Sequence, residues 1–376
     1  MAADRKIPFF NYPALFERDE ENLLGVITDV LRRGAYILQK DLFAFEDALK
    51  TYLGVRHVFG VADGTNAIII GLRAAGIGPG DEVILPSHTY VATAAAVHFV
   101  GATPMLADIG PDHMLDAGSV EPLITPRTRA IMPVQVNGRS CDMDALGRIA
   151  EAHGLAIFED AAQALGSKFR GRCAGTFGTF GTFSFYPAKL LGCFGDGGAI
   201  VTNDDAVAGR IALLRDHGRN EDGEVVAWGT NSRLDNLQAA VLHHKLGKYA
   251  GEIERRREIA RMYEAALGGI DDIALPPGPD ADPRHFDVYQ NYEIEAGSRD
   301  ALRRHLSECG IGTLVQWSGT PLHRMRALGF ATTPPATEAF FERCFMLPMH
   351  TALGDDDVKR ICGAIRDFYR RSRKAA

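Results

Sequence analysis

The sequence predicts an α/β fold: a mainly parallel, mixed seven-stranded sheet with helices on both faces, followed by a smaller C-terminal α+β domain. Three observations predict it. Between residues 57 and 204, short β-rich runs alternate with helical stretches. Most of these runs are apolar almost without a break, as strands covered on both faces require. From residue 275 the stretch LPPGPDADPRHFD, with its four prolines and one glycine, interrupts the pattern and marks a loop or junction.

The first run, HVFGVAD (57–63), leads into the helical TNAIIIGLRAAG (65–76). EVILPS (82–87) is followed by VATAAAVHFVG (91–101), an alanine-valine helix in which His98 is expected to pack. TPMLADI (103–109) and RAIMPVQV (129–136) come next. The helical CDMDALGRIAEAHG (141–154) precedes LAIFED (155–160), and His153 should mark the end of that helix ahead of Gly154. GTFSFY (181–186) and AIVTND (199–204) complete the set, and their hairpin-like spacing can add an antiparallel member. Strand–helix–strand order of this kind implies a mainly parallel sheet. Helical stretches follow at about 205–217 and 234–268, the second including the charged, amphipathic EIERRREIARMYEAAL. The expected division is residues 1–250, a large domain with an N-terminal arm, and residues 251–376, a small one.

Composition narrows the function. The chain has 376 residues, 46% of them apolar, with a net charge of −7. A pI of about 6.0 gives no basic footprint for nucleic acid, and the basic RRSRK at 370–374 reads as a solvated tail. The start, MAADRKIPFFNYP, lacks the apolar run of a signal peptide, and no uncharged apolar stretch reaches membrane-span length. Six scattered cysteines without metal spacing suit reduced thiols in a cytoplasmic protein, with Cys193 filling a loop. Neither a metal nor a membrane partner is expected.

Three motifs carry chemistry. At VADGTNAI a strand gives way to a helix at Gly64 and Thr65. The free N–H groups and positive helix end there suit a phosphate, and an ordinary turn and cap suits the same residues. In LAIFEDAAQALG, Asp160 ends an apolar strand, where open α/β sheets place ligands. Its carboxylate fits a protonated ring nitrogen and Gln163 fits a ring hydroxyl; Asp160 also fits a helix cap. In FSFYPAKLLGCFGDGG (183–198), Lys189 stands between an aromatic strand and a glycine-rich loop. A pocket lysine loses its proton readily and attacks carbonyls to give a Schiff base. Ser184 offers a hydroxyl to a phosphate. A phosphate cradle, a ring-nitrogen carboxylate and a Schiff-base lysine together describe pyridoxal 5'-phosphate.

These segments, with GDEVILPSHTYVATAAAV, EDAAQALGS, GTNSRLDNLQAAVL, PLH and LPMH, resemble the DegT–StrS type nucleotide-sugar aminotransferases over almost the whole chain. The resemblance implies a fold type I aminotransferase-like architecture. It implies that Lys189 is the cofactor lysine and proton shuttle, that Asp160 pairs with the ring nitrogen and that Gln163 touches the ring hydroxyl side. Gly64, Thr65 and Ser184 would hold the phosphate and Tyr90 would stack over the ring. Asn231 would reach the cofactor phosphate of a neighbouring subunit, so a homodimer with shared active sites is implied.

The lysine favours transamination, because relatives with histidine at that position dehydrate sugars. L-glutamate is the implied amino donor. IGTLVQWSGTPLHRM departs from the family's commoner tyrosine-proline form before PLH. Its Gln-Trp pair is similar to the subset acting on C4 of dTDP-4-keto-6-deoxyglucose, with C3 amination of a dTDP-3-keto-6-deoxy sugar as the alternative. Trp317 and His323 would line the sugar-nucleotide pocket, and Trp317 suits core packing equally. Deoxyamino sugar biosynthesis for antibiotics or surface polysaccharides is the implied setting. A nicotinamide-dependent oxidoreductase is disfavoured because no GxGxxG follows the first strand. A non-catalytic regulator on the same fold is disfavoured by the intact Lys189, Asp160 and Ser184.

Overall fold

A computed structural model describes residues 6–375, so the first five residues and Ala376 lie outside the described residues. The chain opens with three helices that the sequence reading did not resolve: α1 (Tyr12–Glu17), α2 (Glu20–Arg33) and α3 (Lys40–Leu53). Gly34 and Gly54 end α2 and α3 in the left-handed conformation. The alternating region then gives β1 (His57–Val61), α4 (Gly64–Ala74), β2 (Glu82–Pro86), α5 (Val91–Phe99), β3 (Thr103–Ala107) and β4 (Thr128–Ile131). It continues through α6 (Met143–His153), β5 (Ala156–Asp160), the short β6 (Lys168–Phe169) and β7 (Arg172–Cys173), β8 (Phe180–Ser184) and β9 (Gly198–Thr202).

The main sheet has seven strands in the order β1-β9-β8-β5-β4-β2-β3. β9 runs antiparallel to both of its neighbours and every other pairing is parallel. This is the mixed, mainly parallel sheet expected. All five residues of β2 and of β9 are buried, which suits the apolar runs Val83–Pro86 and Ala199–Val201 that they carry, with buried Glu82 paired to Arg127. On one side the sheet packs through Phe158 and Phe180, stacked 4.6 Å apart, against α4. Gly71 in α4 is required there: a Cβ would sit 2.4 Å from the Phe180 ring. Each such buried aromatic side chain contributes roughly 1.5–3 kcal/mol. On the other side Phe45, Phe183, Phe185 and Leu234 form a separate core with α3.

Three expectations need correction. The run RAIMPVQV stops being strand at Ile131, because Pro133 has no N–H to donate; Val134 meets β5 again only through an isolated bridge to Asp160. The helical stretch 234–268 is two helices, α8 (Asn236–Leu246) and α9 (Tyr249–Leu267), parted at Gly247 and Lys248. His98 is exposed on α5 rather than packed. α7 (Asp205–Arg215) lies between β9 and α8.

After α9 come β10 (Ile273–Ala274), β11 (His285–Phe286), β12 (Tyr292–Ala296), α10 (Arg299–Glu308), α11 (Pro335–Arg343), β13 (Cys344–Leu347) and α12 (Asp355–Ala375). β10, β12 and β13 form a three-stranded antiparallel sheet. Its core draws on Ile259, Tyr263 and Leu267 of α9, whereas Tyr249 and Ile253 of the same helix belong to the α3-side core. The proline-rich loop returns through β11, which pairs with β6. The basic stretch 370–374 continues α12.

Candidate active site

Antiparallel β9 starts where β1 and β8 end, so one sheet edge collects several chain segments. Gly198 pairs with both Val61 and Ser184, and Asp160 pairs with Thr182 two residues before Ser184. The segments after β1, β5 and β8 therefore open on the same edge, the carboxyl end at which α/β sheets bind ligands.

The start of α4 is shaped for a small anion. Asp63 caps the helix by accepting from the Asn66 and Ala67 N–H groups at 2.8 and 3.0 Å. Gly64 and Thr65 have no acceptor for their N–H groups among the described residues, and the positive end of the helix lies behind them. Ser184 closes the other side: a Cβ on Gly64 would meet the Ser184 Cβ at 3.0 Å and its Oγ at 3.4 Å. Gly198 forms the floor, where a Cβ would lie 2.5 Å from the Asp63 carbonyl. The space exists because two adjoining positions carry no side chain.

Asp160 is buried and both its oxygens are engaged. Oδ1 accepts from the Ala162 N–H at 3.1 Å and Oδ2 from the Thr93 hydroxyl at 2.7 Å. Thr93 is in turn 2.7 Å from Thr89, and since Thr93 donates to the carboxylate, Thr89 donates to Thr93. Burial raises the Asp160 pKa above the usual carboxylate range, while Thr93, Ala162 and the charge of Lys189 oppose that rise. Glu159, adjacent and on the opposite strand face, is spent on structure: it accepts from Gln135 Nε2 and from the N–H groups of Gly175, Phe177 and Gly178.

Lys189 lies in a bend after β8, tied by its N–H to the Tyr186 carbonyl at 2.8 Å. Part of its surface is open, but its ammonium is poorly solvated, and desolvation pulls the pKa down to about 8 against the upward pull of Asp160. The result is an amine that gives up its proton far more readily than an ordinary lysine, so that a sizeable minority is neutral near physiological pH.

Gln163 accepts from the Asn137 N–H at 2.8 Å through Oε1, and its NH2 group, which reaches Gln316 Oε1 at 3.5 Å, has a second N–H to donate. Asn137 holds the left-handed conformation, with φ 57°, and its side chain is fixed three ways. It donates to Glu293 at 2.8 Å and accepts from Asn291 at 2.8 Å and Gln316 at 2.7 Å. Buried Glu293 also accepts from Gln316 at 2.7 Å and faces His88 Nε2 at 3.7 Å. His88 Nδ1 donates to the His113 carbonyl, 3.0 Å away, and its buried Nε2 has no hydrogen-bond partner among the described residues.

The remaining candidates sit apart from this cluster in different ways. Tyr90 is 55% exposed at the start of α5. Asn231 is exposed in a bridge to Asp216, with no side-chain hydrogen bond among the described residues. Trp317, at φ 49°, stacks on Phe341 with centroids 6.2 Å apart and lies 5.3 Å from His88. His323 has both ring nitrogens occupied, by Ser87 at 2.7 Å and Glu338 at 2.6 Å. Sequence reasoning did not find Thr89, Thr93, Asn137 or Glu293. Thr93, three residues after Tyr90 on α5, carried a usable signal as a hydroxyl within an otherwise apolar helix start.

The donor set fits pyridoxal 5'-phosphate. A glycine-floored cradle with two free N–H groups and a hydroxyl suits its phosphate, a buried carboxylate suits its ring nitrogen, an amide donor suits its ring hydroxyl, and a lysine of lowered pKa suits its aldehyde. Among the described residues there is no cluster of His, Cys, Asp and Glu able to hold a metal, and no helix long and apolar enough to cross a membrane.

Comparison with known proteins places these features. The model of the DegT/DnrJ/EryC1/StrS aminotransferase family matches residues 17–366. A dTDP-3-amino-3,4,6-trideoxy-alpha-D-glucose transaminase from Streptomyces venezuelae is 41% identical over 372 residues, covering 97% of each chain. The crystal structure of S. venezuelae DesV in complex with a ketimine intermediate superposes with a TM-score of 0.92 at 40% identity, over 96% of this chain and 98% of that one. NtdA from Bacillus subtilis, with bound cofactor PMP, gives a TM-score of 0.88 at 29% identity, over 98% of this chain and 86% of that one.

Proposed function

Because the chain belongs to the DegT/DnrJ/EryC1/StrS aminotransferase family, with pyridoxal 5'-phosphate as its cofactor, we propose that it moves an amino group from L-glutamate to a nucleotide-linked keto-deoxy sugar. The observation that carries this reading is the single sheet edge on which the Gly64 helix start, Asp160 and Ser184 meet, with Lys189 close enough to Asp160 to feel its charge. When bound, the cofactor supplies an electron-poor ring that withdraws charge from the carbon bearing the transferred amine.

The chain's own residues would do the rest. The N–H groups of Gly64 and Thr65, the end of the helix and the Ser184 hydroxyl hold the phosphate. Asp160, kept in place by Thr93 and the Ala162 N–H, holds a proton on the ring nitrogen. Gln163, its Oε1 occupied by Asn137, donates its NH2 to the ring hydroxyl. Tyr90 covers the ring face. Lys189, with a pKa near 8, takes a proton from the amino acid carbon and returns it to the cofactor side, and reverses the transfer for the sugar. Ping-pong kinetics follow. Asn231, exposed and with no side-chain hydrogen bond among the described residues, reaches the phosphate of a second subunit in a homodimer. Trp317 walls the sugar side, and His323 acts on the same wall by fixing Ser87. Residues 1–250 form the cofactor-binding unit and 251–376 the smaller one, in a cytoplasmic enzyme of deoxyamino sugar biosynthesis for an antibiotic or a surface polysaccharide.

The relative at 41% identity is named for a 3-amino sugar, which favours C3 of a dTDP-linked 3-keto-6-deoxy sugar as the site of amination. The Gln316-Trp317 pair supports a second reading, C4 of dTDP-4-keto-6-deoxyglucose. Incubation with glutamate and a panel of nucleotide 3-keto and 4-keto sugars, with NMR of the product, separates them. Nitrogen at C3 is expected; nitrogen at C4 promotes the second reading; no amino sugar from any member of the panel overturns both.

A further inference from the structure

Lys189 is in neither helix nor strand, and a reactive amine in a bend needs something to fix it. One residue from a different part of the chain supplies two contacts. Gln290 is buried, at 6% exposure, and its side-chain amide spans the backbone on both sides of Lys189. Its Oε1 accepts from the Leu190 N–H at 2.7 Å and its Nε2 donates to the Ala188 carbonyl at 2.7 Å. The two bonds are complementary, so the amide has one orientation: turned over, it would set NH2 against N–H and oxygen against oxygen.

Gln290 is itself held firmly. The residue before it, Tyr289, has φ 50°, a conformation that a bulky residue adopts only when its surroundings impose it. Those surroundings are visible. The Tyr289 hydroxyl donates to the Pro277 carbonyl at 2.9 Å. The buried Arg256 guanidinium donates to the carbonyls of Tyr289, Gln290 and Met349 at 3.0, 3.1 and 2.7 Å. Gly138 packs flush against the segment, since a Cβ there would lie 2.7 Å from the Gln290 nitrogen. Tyr292, two residues on, begins β12, which pairs with β13 in the C-terminal sheet.

We propose that Gln290 is a positioning residue for Lys189: it clamps the two peptide groups that flank the lysine and so lets the C-terminal sheet set where the reactive amine stands. The proposal rests on the aminotransferase reading of Lys189. Its contribution is to keep Nζ within reach of the aldehyde carbon, where a misplacement of about 1 Å is enough to lower a rate by roughly two orders of magnitude.

The test uses apoprotein mixed with pyridoxal phosphate in a stopped-flow absorbance experiment, in which the lysine nitrogen forms a C=N bond to the aldehyde carbon and one water leaves. Gln290→Met keeps the shape and removes both hydrogen bonds. The expected result is a capture rate about tenfold lower, a similar loss of kcat in the glutamate half-reaction, and a KM for glutamate within about twofold of wild type. If Gln290→Met does not fold, Gln290→Asn, whose amide is one methylene short, is measured in its place with the same expectation. Capture and kcat within twofold of wild type, with only the melting temperature lowered, would make Gln290 merely structural and overturn the proposal. Wild-type protein that never captures the aldehyde sinks the aminotransferase reading and the clamp with it. A wild type that captures and a variant that matches it sink the clamp alone.

Discussion

A lysine amine ordinarily holds its proton to about pH 10.5, and Lys189 is brought down to about 8 by desolvation. At pH 7 that shift leaves roughly three-hundredfold more neutral amine than an unperturbed lysine would have. The sign is definite: the neutral form reacts, so capture of pyridoxal phosphate by the apoprotein should speed up as pH rises and level off above about 8. Stopped-flow rates between pH 6 and 10 check this, and a rate still climbing steeply at pH 10 would mean that Lys189 is unperturbed. Lys189, Asp160 and Ser184 were legible in the sequence because each lies at or just beyond the end of a strand, a local property. Thr93, Asn137 and Gln290 were not. Their roles depend on side chains arriving from segments 67, 26 and 100 residues away, and no spacing pattern encodes such meetings.

Among the elements, the reversed strand β9 organises the site. It brings Gly198 to the row of Val61 and Ser184 and removes a side chain where the cradle needs room. Gly198→Ala should force the Asp63 backbone away from a Cβ that would otherwise sit 2.5 Å from it. The expected effects are a loss of about 1–3 kcal/mol in stability and a cofactor Kd at least about tenfold weaker. Chemical denaturation and fluorescence titration of the apoprotein measure the two, and an unchanged Kd would show that the Gly64–Ser184 cradle does not take the phosphate. The seven strands could be read because buried parallel strands are continuously apolar over a few residues. The end of β4 and the split between α8 and α9 escaped, since each turns on one residue, Pro133 or Gly247, inside an otherwise permissive pattern. The three N-terminal helices escaped because no strands lie between them, so residues 12–53 lack the strand–helix alternation that made the centre readable.

At the level of the whole molecule, one protomer leaves large apolar side chains exposed. Trp228 is 91% exposed and Val225 and Val226 are 66% and 56% exposed, all within a few residues of Asn231. Apolar surface of this kind is usually covered by a partner, which fits the homodimer proposed above. Two inactive variants test it: Lys189→Ala and Asn231→Ala. If Asn231 serves the neighbouring subunit, refolding the two together should yield mixed dimers with one intact site and restore up to about half of the wild-type activity per mixed dimer. No recovery, with dimers confirmed by light scattering, would place Asn231 in its own chain's site, and an Asn231→Ala variant that is active alone would place it outside any site. The central claim is the covalent role of Lys189, and the most direct measurement is borohydride reduction of the purified, cofactor-loaded protein followed by peptide mass mapping. The account predicts that a yellow protein loses its visible band on reduction and carries a phosphopyridoxyl group on Lys189. A group found on another lysine, or on none, would contradict it.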